Sequence, residues 1–213
     1  MRIYNDIEQK TDEWYKVREL KLTASHAQTI MANGKGLETY CKELVAEYLS
    51  EAEKEQFTSP DIERGNLLEA QAREYCSLLT GIDFQEVGFV EVNKNFGISP
   101  DGVVFKKDKI VDSIEIKCHS DKVFLELLLT EQIDPKYLAQ MQMQMYAMKT
   151  KSCLYFAYNP NIKPYYFMKR IEADKEAQEK LKSGIDRGIK LIEGYLNEYQ
   201  SKTCDQSGGL VGI

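Results

Sequence analysis

The stretch GISPDGVVFKKDKIVDSIEIKC, Gly97 to Cys118, carries charge on alternate positions of what otherwise reads as strand. Val103, Val104 and Phe105 lead into Lys106–Lys109 around Asp108, and Ile110, Ile114 and Ile116 follow, so the pattern is two strands joined by a tight turn. Residues two apart on a strand share a face. Glu115 and Lys117 therefore project together, opposite to Ile114 and Ile116. If the two runs pair as a hairpin, Asp101 at the start of the first meets Glu115 to Lys117 at the end of the second. Carboxylates a few ångströms apart repel unless a cation lies between them, and Mg²⁺ takes hard oxygen ligands while retaining several waters. Two carboxylates and an ammonium in one place support metal-assisted phosphodiester hydrolysis, with the lysine acting on the attacking water. Alone, Glu-x-Lys is commonly a solvated ion-pairing face and Ser-Pro-Asp-Gly an ordinary turn; it is the combination that points to a site.

Outward from this hairpin the pattern is helical on both sides. TDEWYKVREL places Thr11 as an N-cap, and TASHAQTIMANG predicts a short helix closed by Gly34 and Gly36. A further helix is expected over Leu37 to Ala52. SPDIERGNLLEAQAREYCSLLTG predicts a long amphipathic helix with Ser59 as cap, Pro60 in the first turn, Gly81 as stop, and Ile62, Leu68, Tyr75 and Leu79 towards the core. FQEVGFVEV then reads as strand. Beyond the hairpin, helices are expected near Val123 to Leu129 and over Pro135 to Met148, strands in SCLYFAYNP and KPYYFMKRI, and a charged helix from Asp174 to Tyr199. The fold class is α/β (α+β), a central mixed sheet flanked by helices. Residues 1–200 read as a single domain and 201–213 as a mobile tail.

Composition excludes several classes. The formal net charge of −6 gives no global attraction to phosphate or to anionic membrane, so any nucleic-acid contact is local. MRIYNDIEQK lacks the apolar run of a signal peptide, and no stretch reaches a membrane span, so no membrane partner and a cytoplasmic location are expected. Cys41, Cys76, Cys118, Cys153 and Cys204 form no C-x-x-C pair and are expected as reduced thiols. His26 and His119 carry no assigned role.

Pro100-Asp101 followed by Glu115-Ile116-Lys117, after a helix bearing Glu69, resembles the signature order of the PD-(D/E)XK nucleases. From Trp14 to about Asn159 the chain is similar to the lambda-exonuclease or YqaJ type of viral recombination nuclease. EWYKVRELKLTAS resembles that family's entry motif, which implies that Arg18 and Ser25, helped by Ser99, bind a terminal 5′-phosphate; Glu19 stands where many relatives carry Gly. RGNLLEAQARE implies a metal-proximal role for Glu69, and AQMQMQMYAM, after Tyr137, implies that Gln140 lies beside the catalytic centre. The resemblance further implies catalysis by Asp101, Glu115, Lys117, Glu69 and Gln140. It implies one or two Mg²⁺ ions, with Mn²⁺ as an alternative, held by Asp101, Glu115, the Ile116 carbonyl and Glu69 through water. It also implies a trimeric ring acting 5′→3′ on double-stranded DNA ends to leave 3′ overhangs, and a single-strand annealing protein as partner. The alternatives are an endonuclease of the same fold and a non-catalytic DNA-binding module; the Trp14 to Ser25 segment argues against the first and the intact Asp, Glu and Lys set against the second.

Overall fold

In a computed structural model the described residues are 1–52 and 60–207, which places the expected Ser59 cap outside them. They form seven strands and seven α-helices: β1 (Arg2–Tyr4), α1 (Asp12–Val17), α2 (Ala27–Ala32), α3 (Lys35–Leu49), α4 (Pro60–Thr80), β2 (Phe89–Asn93), β3 (Phe96–Ile98), β4 (Gly102–Lys106), β5 (Lys109–Lys117), α5 (Asp121–Thr130), α6 (Pro135–Met148), β6 (Ser152–Tyr158), β7 (Tyr166–Glu172) and α7 (Lys175–Ser207). None of the described helices is long and apolar enough to cross a membrane.

The strands divide between two sheets. β1, β2 and β3 form a small antiparallel sheet, and β4-β5-β6-β7 form a mixed one in which only β5 and β6 run parallel. FQEVGFVEV therefore belongs mainly to a different sheet from the hairpin, joined to it where Gln85 exchanges two 2.8 Å backbone hydrogen bonds with Val103 and where Phe84 packs in the same cluster as Ile114. The hairpin turn is the expected one: Lys107 and Asp108 both have positive φ, 50° and 60°, as a two-residue turn matched to strand twist requires.

The pleat of the mixed sheet sorts the core. Ile114, Ile116, Leu154, Phe156 and Tyr158 point to one side, where they pack with Ala72 and Cys76 of α4. Cys153, Tyr155 and Ala157 point to the other, against Phe124 and Leu127 of α5 and Met141 and Met145 of α6. Glu115 and Lys117 fall on this second face, between sheet and α6. A third cluster gathers α2, α3 and α7 with the small sheet, around Leu22, Ile30, Leu37, Leu181 and Ile185.

Several boundaries differ from expectation. α2 ends not at a glycine but at Asn33, which takes the left-handed conformation (φ 51°) and whose carbonyl accepts from Arg187 at 2.8 Å; Gly34 instead begins α3. On α4 the inward residues include Ala72 and Cys76, small enough to bring the helix close to the sheet. Leu68 and Tyr75 pack there as expected, Leu79 is exposed, and the Ile62 side chain is outside the described residues. α7 continues eight residues past Tyr199 to Ser207, and its extension carries a Lys202–Glu198 ion pair one turn apart and a Thr203 hydroxyl donating back to the Tyr199 carbonyl. Residues 208–213 lie outside the described residues.

Candidate active site

The hairpin register places the charged cluster at its open end. Gly102 pairs with Ile114, so β5 runs on past the start of β4, and Asp101 turns its carboxylate onto that extension: Ile116 N–H donates to Asp101 Oδ2 at 2.6 Å. Asp101 thus fills the position that a longer β4 would occupy. Arg73 of α4 donates its Nε–H to the Asp101 carbonyl at 2.8 Å, tying the helix to this corner. Pro100 is held too, its carbonyl accepting from Gln9 at 3.1 Å.

Glu115 is wholly buried and both its oxygens face polar groups. Oε2 accepts from Gln144 Nε2 of α6 at 2.5 Å, and Oε1 is ion-paired with Lys117. Among the described residues Lys117 is thus the one partner of Oε1, an ion pair with a buried oxygen. Lys117 Nζ lies 5.0 Å from the centre of the Tyr137 ring. Burial works against the ammonium, but Glu115 and Asp101 outweigh it, so its affinity for the proton rises. For Asp101 the balance runs the other way: burial, reinforced by Glu115, pushes its carboxyl well above the usual range, and Lys117 offsets this only in part.

Glu69 faces the same corner from α4 and adds to the negative field on Asp101, but its own carboxylate is engaged by Lys10 at 3.3 Å and Arg73 at 3.6 Å. Among the described residues no three acidic, histidine or cysteine side chains converge as a metal cage. The centre is two carboxylates at a strand end. A fully buried carboxylate, a second carboxyl driven towards its neutral form and hard oxygen donors at one strand end fit a divalent cation that keeps part of its water shell.

Gln140 is half-buried on α6, between Tyr137 and Gln144 on the stripe of the helix that faces this centre. The direct hydrogen bond to Glu115 comes from Gln144, one turn further on. The sequence reading assigned Gln144 no role; full burial of its amide beside a strand glutamate is the signal that singles it out. His119, two residues after Lys117, is bonded to the Tyr155 hydroxyl at 2.9 Å, and burial followed by the Lys117 charge pushes its imidazole down to about 4.

A second polar cluster begins two residues before Asp101. Trp14 Nε1 donates to Ser99 Oγ at 2.9 Å and to the Gly88 carbonyl at 2.9 Å. Arg18 stacks on the same indole, 3.9 Å from ring centre to guanidinium carbon, and reaches Ser99 Oγ at 3.2 Å. Arg18 and Ser99 are thus brought together. Ser25 sits nearby in the 3-10 turn Ala24–His26, its hydroxyl 3.3 Å from those of Thr23 and 3.3 Å from His26 Nδ1. Thr23 and His26, rather than Ser25, occupy the helix cap positions, and α2 has only six residues. None of the five cysteines forms a disulfide among the described residues.

Comparison with known proteins supports the same reading. The alkaline exonuclease LHK-Exo of Laribacter hongkongensis superposes with a TM-score of 0.82 at 28% identity, covering 92% of this chain and 100% of that one. Its complex with dAMP gives the same values. A phage-related exonuclease from Haemophilus somnus 129PT shares the fold, with a TM-score of 0.63 at 15% identity over 86% of this chain and 98% of its own. No curated protein matches the chain by sequence. The family model for the YqaJ-like viral recombinase domain matches residues 13–151, well over half of the chain. The chain belongs to this YqaJ-like viral recombinase family of PD-(D/E)XK nucleases.

Proposed function

We propose that this nuclease is a divalent-metal-dependent 5′→3′ exodeoxyribonuclease that digests one strand of linear duplex DNA and leaves a 3′ overhang for recombination. The observation that carries the reading is the two-residue separation of Ser99 from Asp101, which holds the Arg18–Ser99 cluster within about 7 Å along the chain of the carboxylate centre. An anion held at Arg18 and Ser99 puts the adjoining nucleotide beside Asp101, Glu115 and Lys117. A guanidinium can grip two oxygens of a terminal phosphate, which carries more charge than an internal diester, and Ser25 would add a hydroxyl. That LHK-Exo forms a complex with dAMP, itself a 5′-phosphorylated nucleotide, agrees with such a pocket.

Asp101, Glu115 and the Ile116 carbonyl would hold Mg²⁺ or Mn²⁺, with Glu69 reaching it through water. When bound, the cation supplies Lewis-acid stabilisation of charge on the phosphate oxygens. Lys117 remains an ammonium and donates to the attacking water, orienting it. Gln144 fixes the Glu115 carboxylate, and Gln140 faces the same space. The reading extends, through the family, to a trimeric ring, a single-strand annealing partner and a cytoplasmic setting.

The test uses linear duplex bearing 5′-phosphates, the same duplex with 5′-hydroxyls, and closed circles. Phosphorylated ends are expected to be digested faster and circles to resist. Arg18→Ala should lower the rate on phosphorylated ends by about 10- to 100-fold while changing hydroxyl ends little, the scale of a lost charge-assisted hydrogen bond. Equal cleavage of circles and linear DNA would sink the exonuclease reading in favour of an endonuclease.

A further inference from the structure

His26 borders the Arg18–Ser25–Ser99 cluster but has no part in the reading above. Its ring lies flat on Tyr40, with centroids 3.9 Å apart and planes 13° from parallel. The platform is anchored, since the Tyr40 hydroxyl bonds the Thr23 amide and hydroxyl and donates to the Lys21 carbonyl. Ser25 Oγ sits 3.3 Å from Nδ1, so the remaining ring nitrogen is the one left for a ligand, and the residue keeps an exposed edge although Tyr40 covers one face of its ring. The charges that face it are Arg18, from the end of α1, and Glu43 and Glu47, from α3.

We infer that His26 is a proton-carrying member of the anion pocket, which donates a ring N–H to a terminal 5′-phosphate and takes up a proton as that phosphate binds. The inference rests on the 5′-phosphate reading of the pocket and adds a pH-dependent component to it. Without ligand, burial first and the Arg18 charge second hold the imidazole below its ordinary range, against the opposing pull of Glu43 and Glu47. A phosphate dianion between Arg18 and His26 reverses the sign of the local field. The affinity of His26 for a proton then rises, and binding draws one in from solvent. A terminal phosphate loses its own second proton near pH 6, so above about that value the dianion is the species bound. The His26 contribution is therefore present at the lower end of the range above pH 6. It is lost as pH rises through the value His26 has in the complex, leaving the contribution of Arg18, Ser25 and Ser99. A 5′-hydroxyl end offers no such partner, and an internal diester offers one charge rather than two.

The experiment reads the ratio of initial rates on 5′-phosphorylated and 5′-hydroxyl duplex of one sequence, from about pH 6 to about pH 9. Each ratio compares two substrates on one protein at one pH, so ionisation at the metal centre cancels. In wild type the ratio is expected to fall about tenfold across the range, the scale of one charge-assisted hydrogen bond. His26→Gln, and His26→Phe, which retains the stack on Tyr40, should both give a flat ratio at the wild-type high-pH level. A second readout is proton NMR of the imidazoles. The chain has two histidines, and the resonance that disappears in His26→Gln is that of His26. In chelator, a 5′-phosphorylated dinucleotide should move that titration upward and its 5′-hydroxyl counterpart should not. A sloping ratio that survives both substitutions, or a titration unmoved by the phosphorylated dinucleotide, overturns the role of His26 and leaves the pocket standing. A wild-type ratio of one at every pH overturns the pocket and His26 together.

Discussion

Glu115 has no exposed surface, yet it lies within reach of Lys117 and Gln144, and how these two share its oxygens decides what the centre can hold. The Gln144 amide fixes the plane of the carboxylate, and its own oxygen accepts weakly from the Cys153 thiol at 3.7 Å, so the amide orientation is set in turn. Replacing Gln144 with Met keeps the volume and removes the donor. Outer partners of ligating groups commonly contribute 10- to 100-fold to metal affinity. Gln144→Met should weaken Mg²⁺ or Mn²⁺ binding by about that factor in calorimetry, and unchanged affinity would make Gln144 a packing residue only. Asp101 gives the opposite kind of prediction. Its carboxyl is held above the usual range by burial and by Glu115, so the native state retains a proton that the unfolded chain releases, and stability falls as pH rises through that window. Asp101→Asn keeps an acceptor for the Ile116 amide and removes the charge. Scanning calorimetry in chelator near neutral pH should show it melting above wild type, by about 2–4 °C for each kcal/mol relieved, with turnover abolished. Lower stability without metal would mean that the Asp101 charge is compensated by groups other than a cation.

At the scale of elements, the hairpin was legible because its signals are local: alternation in β5, two turn residues with left-handed backbone, and a proline before Asp101. α6 was legible too, from Pro135 at the first turn and the helix-forming Gln, Met and Ala, despite the period-two look of its Gln-Met run, and the structure adds Asp134 as cap on the Lys136 amide at 2.9 Å. β1 and β3 were not legible. At three residues each they have no period to read, and they exist because Val90 and its neighbours in β2 offer edges to distant segments. The Arg18–Ser99 contact was reached only through resemblance, since nothing in either segment says that residues 81 apart will meet. The packing of α7 is equally non-local. Gly184 lies so close to α2 that an added Cβ would fall 2.0 Å from the Ile30 carbonyl oxygen, a backbone atom that cannot swing aside. The helix therefore carries glycine where its propensity alone would prefer alanine. Gly184→Ala should destabilise the protein by about 1–3 kcal/mol in urea unfolding, the usual cost of overpacking, despite the gain in helix propensity. A neutral or stabilised variant would show that α7 can shift away from α2 without loss.

For the whole molecule, the net charge of −6 sets a problem that no single residue solves. Duplex DNA releases counterions in proportion to the phosphates a protein neutralises, so an acidic protein gains little from this source away from its local basic groups, and what it gains is lost steeply with salt. A nuclease held only by such contacts would leave its substrate after few steps. The proposed ring changes the physics, because enclosure prevents escape by topology rather than by affinity. Loading still requires an end to be captured, through the proposed anion pocket around Arg18, and should remain salt-sensitive. Once the duplex is threaded, continued digestion depends on the barrier to unthreading and much less on screening. These two stages can be separated in one experiment. Protein is loaded on labelled linear duplex at low salt in chelator, then metal is added together with excess unlabelled duplex and a chosen salt concentration. The expected result is that raising salt before loading suppresses digestion by more than tenfold, given slopes near one per phosphate contact. Raising it only at the moment of metal addition should leave the length digested per loaded end nearly unchanged. If the unlabelled competitor stops digestion at once, or if both salt additions suppress it equally, the chain acts distributively and enclosure is excluded as the way this acidic nuclease stays on its substrate.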